Sequence, residues 1–534
     1  MNSIRLSIVG TFLILSATAL QAQNFIYQPE DWLIITNPGA VNALAETWDV
    51  IYFATDNGIF SFLPGEGGLH YEYGLSKYLD EGRIYHLIFN EYTDFFWAVH
   101  ENGISFKSSL ATYWQHAGYS PAAWVVQDLG YTSEYIWLNV DGQLTALDPF
   151  SGHRVEVEDV WAHESSIQWG ASRFGQAGRD PFPNGYVYSP DIEGDPYLES
   201  RFRQARFTLK FQTSSGEFFA GTSTGDIYYA PNYSHRLELL SSGLGTDAVT
   251  VTYLDDYGNY WFGDSEYKRE GISFRGERNF LTRWKESDET WEYYHSGEDL
   301  AIQSADINCI LRHRHTLYLG TMDGLLVLNI PDREWTLVKE GLHDPAIWDL
   351  TMDERKLYVA TARGINEVAL EIPVVLTDNK GRFDAFVNKE VYDLTFSGEH
   401  LYVASANGLS RMHWQSSSWE LLSDKFIREV EVRDSTILAS DGQLWQIVPG
   451  QDDIRVHVAP VSNFAFFGDY VWITERDRAV LIQRDSAAQW NYGQQDGIPG
   501  RRIYDINCDA EWVWFMTDKG VAFYHWRNYH FFKN

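Results

Sequence analysis

One spacing governs this chain. An aromatic residue is followed six positions later by a glycine, usually with an aliphatic residue next. The pattern runs from end to end: Tyr52 to Gly58, Trp97 to Gly103, Phe219 to Gly225, Tyr318 to Gly324, Tyr358 to Gly364, Tyr402 to Gly408 and Trp514 to Gly520. An eighth copy begins at Trp472 and carries Arg478 where the glycine would stand. In Tyr52-Phe53-Ala54-Thr55-Asp56-Asn57-Gly58-Ile59-Phe60 a β-rich run meets Asp-Asn-Gly and resumes as a second β-rich run. Glycine supplies the positive φ of a tight hairpin.

Upstream of each hairpin lies another short apolar strand, among them Ile84-Tyr85-His86-Leu87, Ile347-Trp348-Asp349-Leu350, Val391-Tyr392-Asp393-Leu394 and Ile503-Tyr504-Asp505-Ile506. These strands are headed by Val41, Ile84, Trp124, Ile167, Phe207, Val249, Ile307, Ile347, Val391, Ile427, Phe464 and Ile503, at intervals of 36 to 44 residues with a single one of 58. A fourth segment follows many hairpins, marked by Trp114, Trp291, Trp335, Trp419 and Trp490. Four short strands in about 40 residues is the size of a propeller blade, whereas a generic sandwich predicts no fixed period. The fold class expected is therefore all-β, with about twelve four-stranded blades. Rings of roughly four to eight blades are usual, so the twelve units imply two β-propellers. The 58-residue interval favours six plus six, with a first propeller over 23–300, a second over 301–534 and a seam near 296–304; seven plus five is the alternative. Each ring must close. Trp32-Leu33-Ile34-Ile35 and the terminal Tyr529-His530-Phe531-Phe532 compete for the closing strand.

Within this frame, Asp255-Asp256-Tyr257-Gly258-Asn259-Tyr260-Trp261-Phe262-Gly263 resembles the two-component regulator propeller repeat. The link Trp490-Asn-Tyr-Gly-Gln-Gln-Asp-Gly-Ile-Pro499 and the hairpins at Asn57-Gly58, Asn102-Gly103 and Asn407-Gly408 are similar to that family as well. The likeness spans the chain, though most copies are degenerate. It implies an extracytoplasmic propeller that senses ligands or mediates assembly, here standing alone without a kinase or membrane segment.

Met1 to Gln23 reads as a secretory signal: Arg5, an apolar run from Ile8 to Leu15, then small and polar residues ending in Ala22. Cleavage after Ala22 makes residues 1–22 the signal peptide and the rest an exported protein, periplasmic or extracellular. No later stretch reaches the roughly 20 apolar residues that a spanning helix needs. With 74 acidic against 41 basic residues the net charge is −33, which argues against a nucleic-acid partner. The two cysteines, Cys309 and Cys508, lie three residues out of step in their strands and are expected to be buried free thiols.

Two insertions stand out. The first, Phe174 to Arg203, replaces a hairpin and offers Arg179, Asp180, Phe182, Tyr186, Tyr188 and Tyr197 as candidate ligand contacts. The second, Asp264 to Ser304, holds Lys268, Arg269, Arg275 and Arg278, a basic cluster suited to a partner. The tryptophans that recur in step with the blades, such as Trp97, Trp261 and Trp514, are expected to be packing residues. There is no nucleophile elbow, no zinc-binding helix motif and no phosphate loop. No catalytic residue, metal or cofactor is assigned. The expected function is an exported module of the bacterial envelope that binds a glycan or protein partner. The alternatives are a structural component of an envelope or secretion assembly and, less in keeping with the motifs, a carbohydrate lyase or hydrolase.

Overall fold

The aromatic-to-glycine spacing is a hairpin clasp. Thr55 pairs with Gly58 across the two-residue turn Asp56-Asn57, and Gly58 sits at φ +133°. The Thr55 hydroxyl donates to the Gly58 carbonyl at 2.9 Å and accepts from the Asn57 N–H at 3.2 Å. Thr321, Thr361, Ser405 and Thr517 clasp Gly324, Gly364, Gly408 and Gly520 in the same way, at 2.7 to 3.0 Å. A Cβ on Gly58 would lie 2.7 Å from the Tyr71 ring, so close packing of the outer strand reinforces the demand made by φ.

A second device precedes the hairpin. Asp255 accepts from the Tyr257 and Asn259 backbone N–H groups at 2.9 and 3.0 Å and from Trp261 Nε1 at 2.8 Å, and it pairs with Arg312 of the following blade. Burial pushes its pKa up, but the bonds from Trp261, Asn259 and Arg312 hold it below the usual carboxylate value. The acidic-turn motif thus ties the turn to the core tryptophan and one blade to the next.

The computed structural model describes residues 31–530 except 66–67, 78, 80–82, 176–197, 201–202, 206, 234, 236, 241–242, 271–279, 296–305, 371 and 377–380. Among the described residues the chain forms eleven blade sheets: blade 1 (41–71), 2 (84–116), 3 (126–155), 4 (207–240), 5 (251–295), 6 (307–338), 7 (347–369), 8 (391–423), 9 (429–455), 10 (464–492) and 11 (503–524). Strands follow chain order from the axis outward, each antiparallel to the last. Blade 7 has three strands. Blade 11 takes its fourth from Trp32–Ile35, which pairs with Gly520–Tyr524 from Trp32↔Tyr524 to Ile35↔Val521.

Blades 5 to 11 form a closed cycle. Successive hydrophobic clusters join 5 to 6, 6 to 7 and so on to 11, and a last cluster of Ile35, Val249, Phe262, Trp284, Trp514 and Phe523 joins 11 back to 5. Blades 4, 1, 2 and 3 pack in that spatial order in the first ring. Among the described residues the unit headed by Ile167 forms no blade sheet, only short pairings and the two-stranded sheet Leu198–Ser200 with Arg203–Ala205. Gln168–Trp169 pairs with the inner strand of blade 3 and Ala171–Ser172 with the inner strand of blade 1, so the chain crosses the ring axis. Gly170 fits against Ile88 and Leu129 of blades 2 and 3.

The seam expected near 296–304, with 23–300 and 301–534 as the two propellers, is not where the packing divides. Residues 251–295 belong to the second ring. The 58-residue interval arises because 264–279 lie between the second and third strands of blade 5, inside a blade instead of between rings. Among the described residues the rings are joined by two crossings, 36–40 and 243–249, which touch where the Leu244 N–H donates to the Thr36 carbonyl at 3.1 Å. The first ring is therefore an insertion between the closing strand and the rest of the second.

Candidate functional site

The axis of the second ring is lined with carboxylates. In blades 6, 7, 8 and 11 the inner strand carries a register shift at its second residue, as between Ile347 and Asp349. A bulge there re-aims the third residue. That residue is Cys309, Asp349, Asp393 or Asp505, and blade 9 supplies Glu429 and Glu431. Asp393 feels Asp505 three blades away and Glu429 feels Asp505 two blades away, which places these groups around one axis. Asp349 and Asp393 share a hydrogen bond, and burial together with the neighbouring acid holds Asp349 well above the ordinary carboxylate range. Burial raises Asp393, Glu429 and Asp505, and raises Glu431 to about 7 despite Arg433.

These carboxylates also staple the blades. Asp349 Oδ2 accepts from the Leu394 N–H at 2.9 Å, Asp393 Oδ2 from Val430 at 2.7 Å and Glu431 Oε2 from Phe466 at 3.1 Å, each in the next blade. An inner strand has an unpaired edge, and these acceptors satisfy it. Among the described residues no cluster of three or more His, Cys, Asp or Glu has the geometry to hold a metal ion. Burial between the blades disfavours the charged forms of these groups.

The first ring has its surface feature elsewhere. Connections from first to second strand and from third to fourth strand leave a blade at the same end. In blades 1 to 4 these connections carry Trp48, Tyr92, Leu110, Tyr113, Phe150 and Tyr233, all exposed, Trp48 to 82% and Leu110 to 93%. Exposed Asp49, Glu91, Asp94 and Glu134 stand among them. The corresponding first-to-second connections of the second ring hold Arg314-His315, Asp353-Glu354-Arg355, Gly398-Glu399, Asp434-Ser435 and Gly468-Asp469 instead. In the second ring the matching connection of blade 5 exposes Tyr257, and other exposed apolar side chains such as Ile372, Leu421 and Val458 lie apart from these connections, so the apolar group of six is particular to the first ring.

Of the sequence candidates, Arg179, Asp180, Phe182, Tyr186, Tyr188 and Tyr197 lie outside the described residues, as do Arg275 and Arg278. Phe174, at the root of the first insertion, rests against Tyr85 with ring centroids 5.0 Å apart. Lys268 and Arg269 share the short helix Glu266–Glu270. Arg269 pairs with the buried Asp264 at 3.0 Å, while Lys268 is exposed and acts on Asp505 and Cys309 at the axis. The two cysteines are free and buried, in blades 6 and 11, with blade 5 between them.

No protein-family model matches the chain, and no curated protein matches it. Among solved structures, the extracellular domain described as that of a hybrid two-component system from B. thetaiotaomicron is similar at 13% identity and TM-score 0.42, over 91% of this chain and 70% of that one. PorZ, a surface component of the type-IX secretion system of Porphyromonas gingivalis, is similar at 10% identity and TM-score 0.41, over 91% and 74%. The β-propeller domain of Cps50 (Swd1) from Myceliophteria thermophila is similar at 10% identity and TM-score 0.38, over 52% and 96%. At such scores none of these likenesses bears on what the chain does, and the fold rests on its own sheets.

Proposed function

We propose that the chain is an exported double β-propeller of the cell envelope that works as a protein-interaction module, and that the loop end of the first ring is its docking face. The observation that carries this is the six exposed apolar side chains gathered on one end of one ring. Isolated exposed apolar residues are ordinary, but a group of them marks an interaction surface, and exposed Trp and Tyr are the usual anchors of interfaces. The acids among them favour a partner segment that mixes basic and apolar side chains, and cations of that segment would stack on Trp48 and Tyr92. Removal of residues 1–22 on export and kinship with the two-component regulator propeller repeats belong to the same reading. So does the insertion at 174–203, proposed as a ligand loop whose root, at Phe174 and Gly175, lies by the starts of the inner strands of blades 2 and 3, at the other end of the ring.

Site-specific photo-crosslinking in the native envelope tests it. Crosslinkers at positions 48 and 110 should trap one and the same species, which crosslinkers at 314 and 399 of the second ring do not. That species should be lost when Trp48, Leu110 and Tyr113 are all replaced by serine. Equal trapping from both rings, or none from positions 48 and 110, would sink the proposal.

A further inference from the structure

The rings touch through few polar bonds. Lys519 Nζ donates to Asn57 Oδ1 at 2.9 Å, Asn57 Nδ2 to Asp247 Oδ1 at 3.1 Å and the Tyr73 hydroxyl to the Asp496 carbonyl at 3.2 Å. Where the rings part beside these bonds lies a cavity of about 290 Å³. Its apolar wall is built from both rings and the crossing between them, with Ile34, Leu79, Ile84 and Ile498 beside the Tyr71 and Tyr73 rings. Binding sites favour domain junctions and combine an apolar lining with a few placed polar groups; about 300 Å³ is the small end of their range, room for a single-ring molecule.

The charge of this lining runs against that of the chain. Three cations, Lys77, Arg501 and Lys519, face two carboxylates among the described lining residues, in a protein of net charge −33. Both carboxylates are already engaged. Asp56 accepts from Arg83 Nε at 2.8 Å and from Asn42 Nδ2 at 2.9 Å, and Asp518 Oδ1 accepts from the Arg501 and Arg502 backbone N–H groups at 2.8 and 3.1 Å. Lys519 meets only a neutral amide oxygen in its bond to Asn57. Lys77 lies over the Tyr73 ring at 5.1 Å, and burial lowers its pKa while the nearby Asp496 acts to raise it.

We infer that the cleft between the rings is a binding site for a small organic anion, a carboxylate carried on a single sugar or aromatic ring. The ring of the ligand lies on the tyrosine and aliphatic wall, and its carboxylate meets Arg501 and Lys519 of the second ring. Because Lys77 and the wall come from the first ring, the site exists only when the rings are juxtaposed. It is separate from the docking face, so each stands or falls alone.

Isothermal titration of the mature chain (23–534) with glucuronate and benzoate, beside uncharged glucose and benzamide, tests the inference. At least one carboxylate should bind one to one, at least tenfold more tightly than its uncharged counterpart. Lys519→Gln and Arg501→Gln, both at exposed positions and expected to melt as the parent does, should each weaken it at least tenfold, and Arg484→Gln, elsewhere on the second ring, should not. Absence of binding by both carboxylates at millimolar concentration, or unchanged binding in the two cleft variants, would overturn it.

Discussion

Asp349 reaches out of its own blade to hold the next: its Oδ2 accepts the backbone N–H of Leu394 at 2.9 Å. Burial and Asp393 raise its pKa, so the charged form of this acceptor is disfavoured in the fold. The acceptor and the charge can be separated by mutation. Asp349→Ala strands the Leu394 N–H and should cost about 1–3 kcal/mol. Asp349→Asn keeps an acceptor and removes the charge, and should melt at or above the parent temperature at pH 8. Thermal melts of the three proteins check this, and an Asn variant as unstable as the Ala variant would refute the separation.

The axial acids together set a pH dependence. In the unfolded chain they titrate near pH 4, whereas folding raises Asp349, Asp393, Asp505, Glu429 and Glu431, the last to about 7. Between those values the unfolded state has released protons that the folded state retains, so their contribution is present at low pH and is lost as pH rises from about 4 to about 7. The urea midpoint should fall from pH 5 to pH 8, and Glu431→Gln should flatten the slope. A midpoint that rises over this range would contradict the assignment.

Trp32 closes the second ring, stacked on Tyr524 with centroids 4.5 Å apart and 3% exposed. Trp32→Ala should cost about 3–5 kcal/mol, as large core truncations do. Hydrogen exchange should show the amides of Gly520–Tyr524 losing protection while those of Phe95–His100 in the first ring keep it.

Two glycines separate strain from collision. Gly468 has φ +56° and open space for at least 4 Å around the place a Cβ would take, so Gly468→Ala should cost only the left-handed penalty of about 1–2 kcal/mol. Gly520 has φ +111°, and a Cβ there would collide with the carbonyl oxygen of Ile35. Gly520→Ala should be the more destabilising of the two, and equal melting temperatures would show that the closing strand yields.

Burial raises both thiols well above their ordinary pKa. Neither Cys309 nor Cys508 should react with a thiol reagent at pH 8 until urea unfolds the chain, when two equivalents should appear.

The architecture was legible because the repeat is local: each hairpin clasp needs only Thr or Ser, two turn residues and Gly within four positions. Trp97, Trp261 and Trp514 are buried, as their periodicity implied, but Trp124 lies in a turn and is 80% exposed, and its strand begins at Val126. The partition into rings was not legible. A long interval looks the same whether it separates two rings or two strands of blade 5. The axial acids did leave a signal, since Asp349, Asp393 and Asp505 each follow an aromatic residue at the third place of an inner strand. Alternation alone cannot say that a bulge turns that place towards the axis. The proposed docking face and the cleft were hidden for a different reason: Trp48 and Leu110 share one end of a ring, and Lys77 and Lys519 one cavity, only through the folding of whole rings.

The strand Trp32–Ile35 pairs with the last hairpin of the chain, and that pairing imposes an order in time. During synthesis this strand is made before the blades of either ring and can find its partner only after Gly520–Tyr524 follow. The whole first ring is completed while it waits, with four residues of strand edge bare at one end of the growing chain. A chain released before Tyr524 therefore carries a finished first ring tethered to an open second one. The second ring can shut only once Tyr524 has been made, because Trp32 pairs with it.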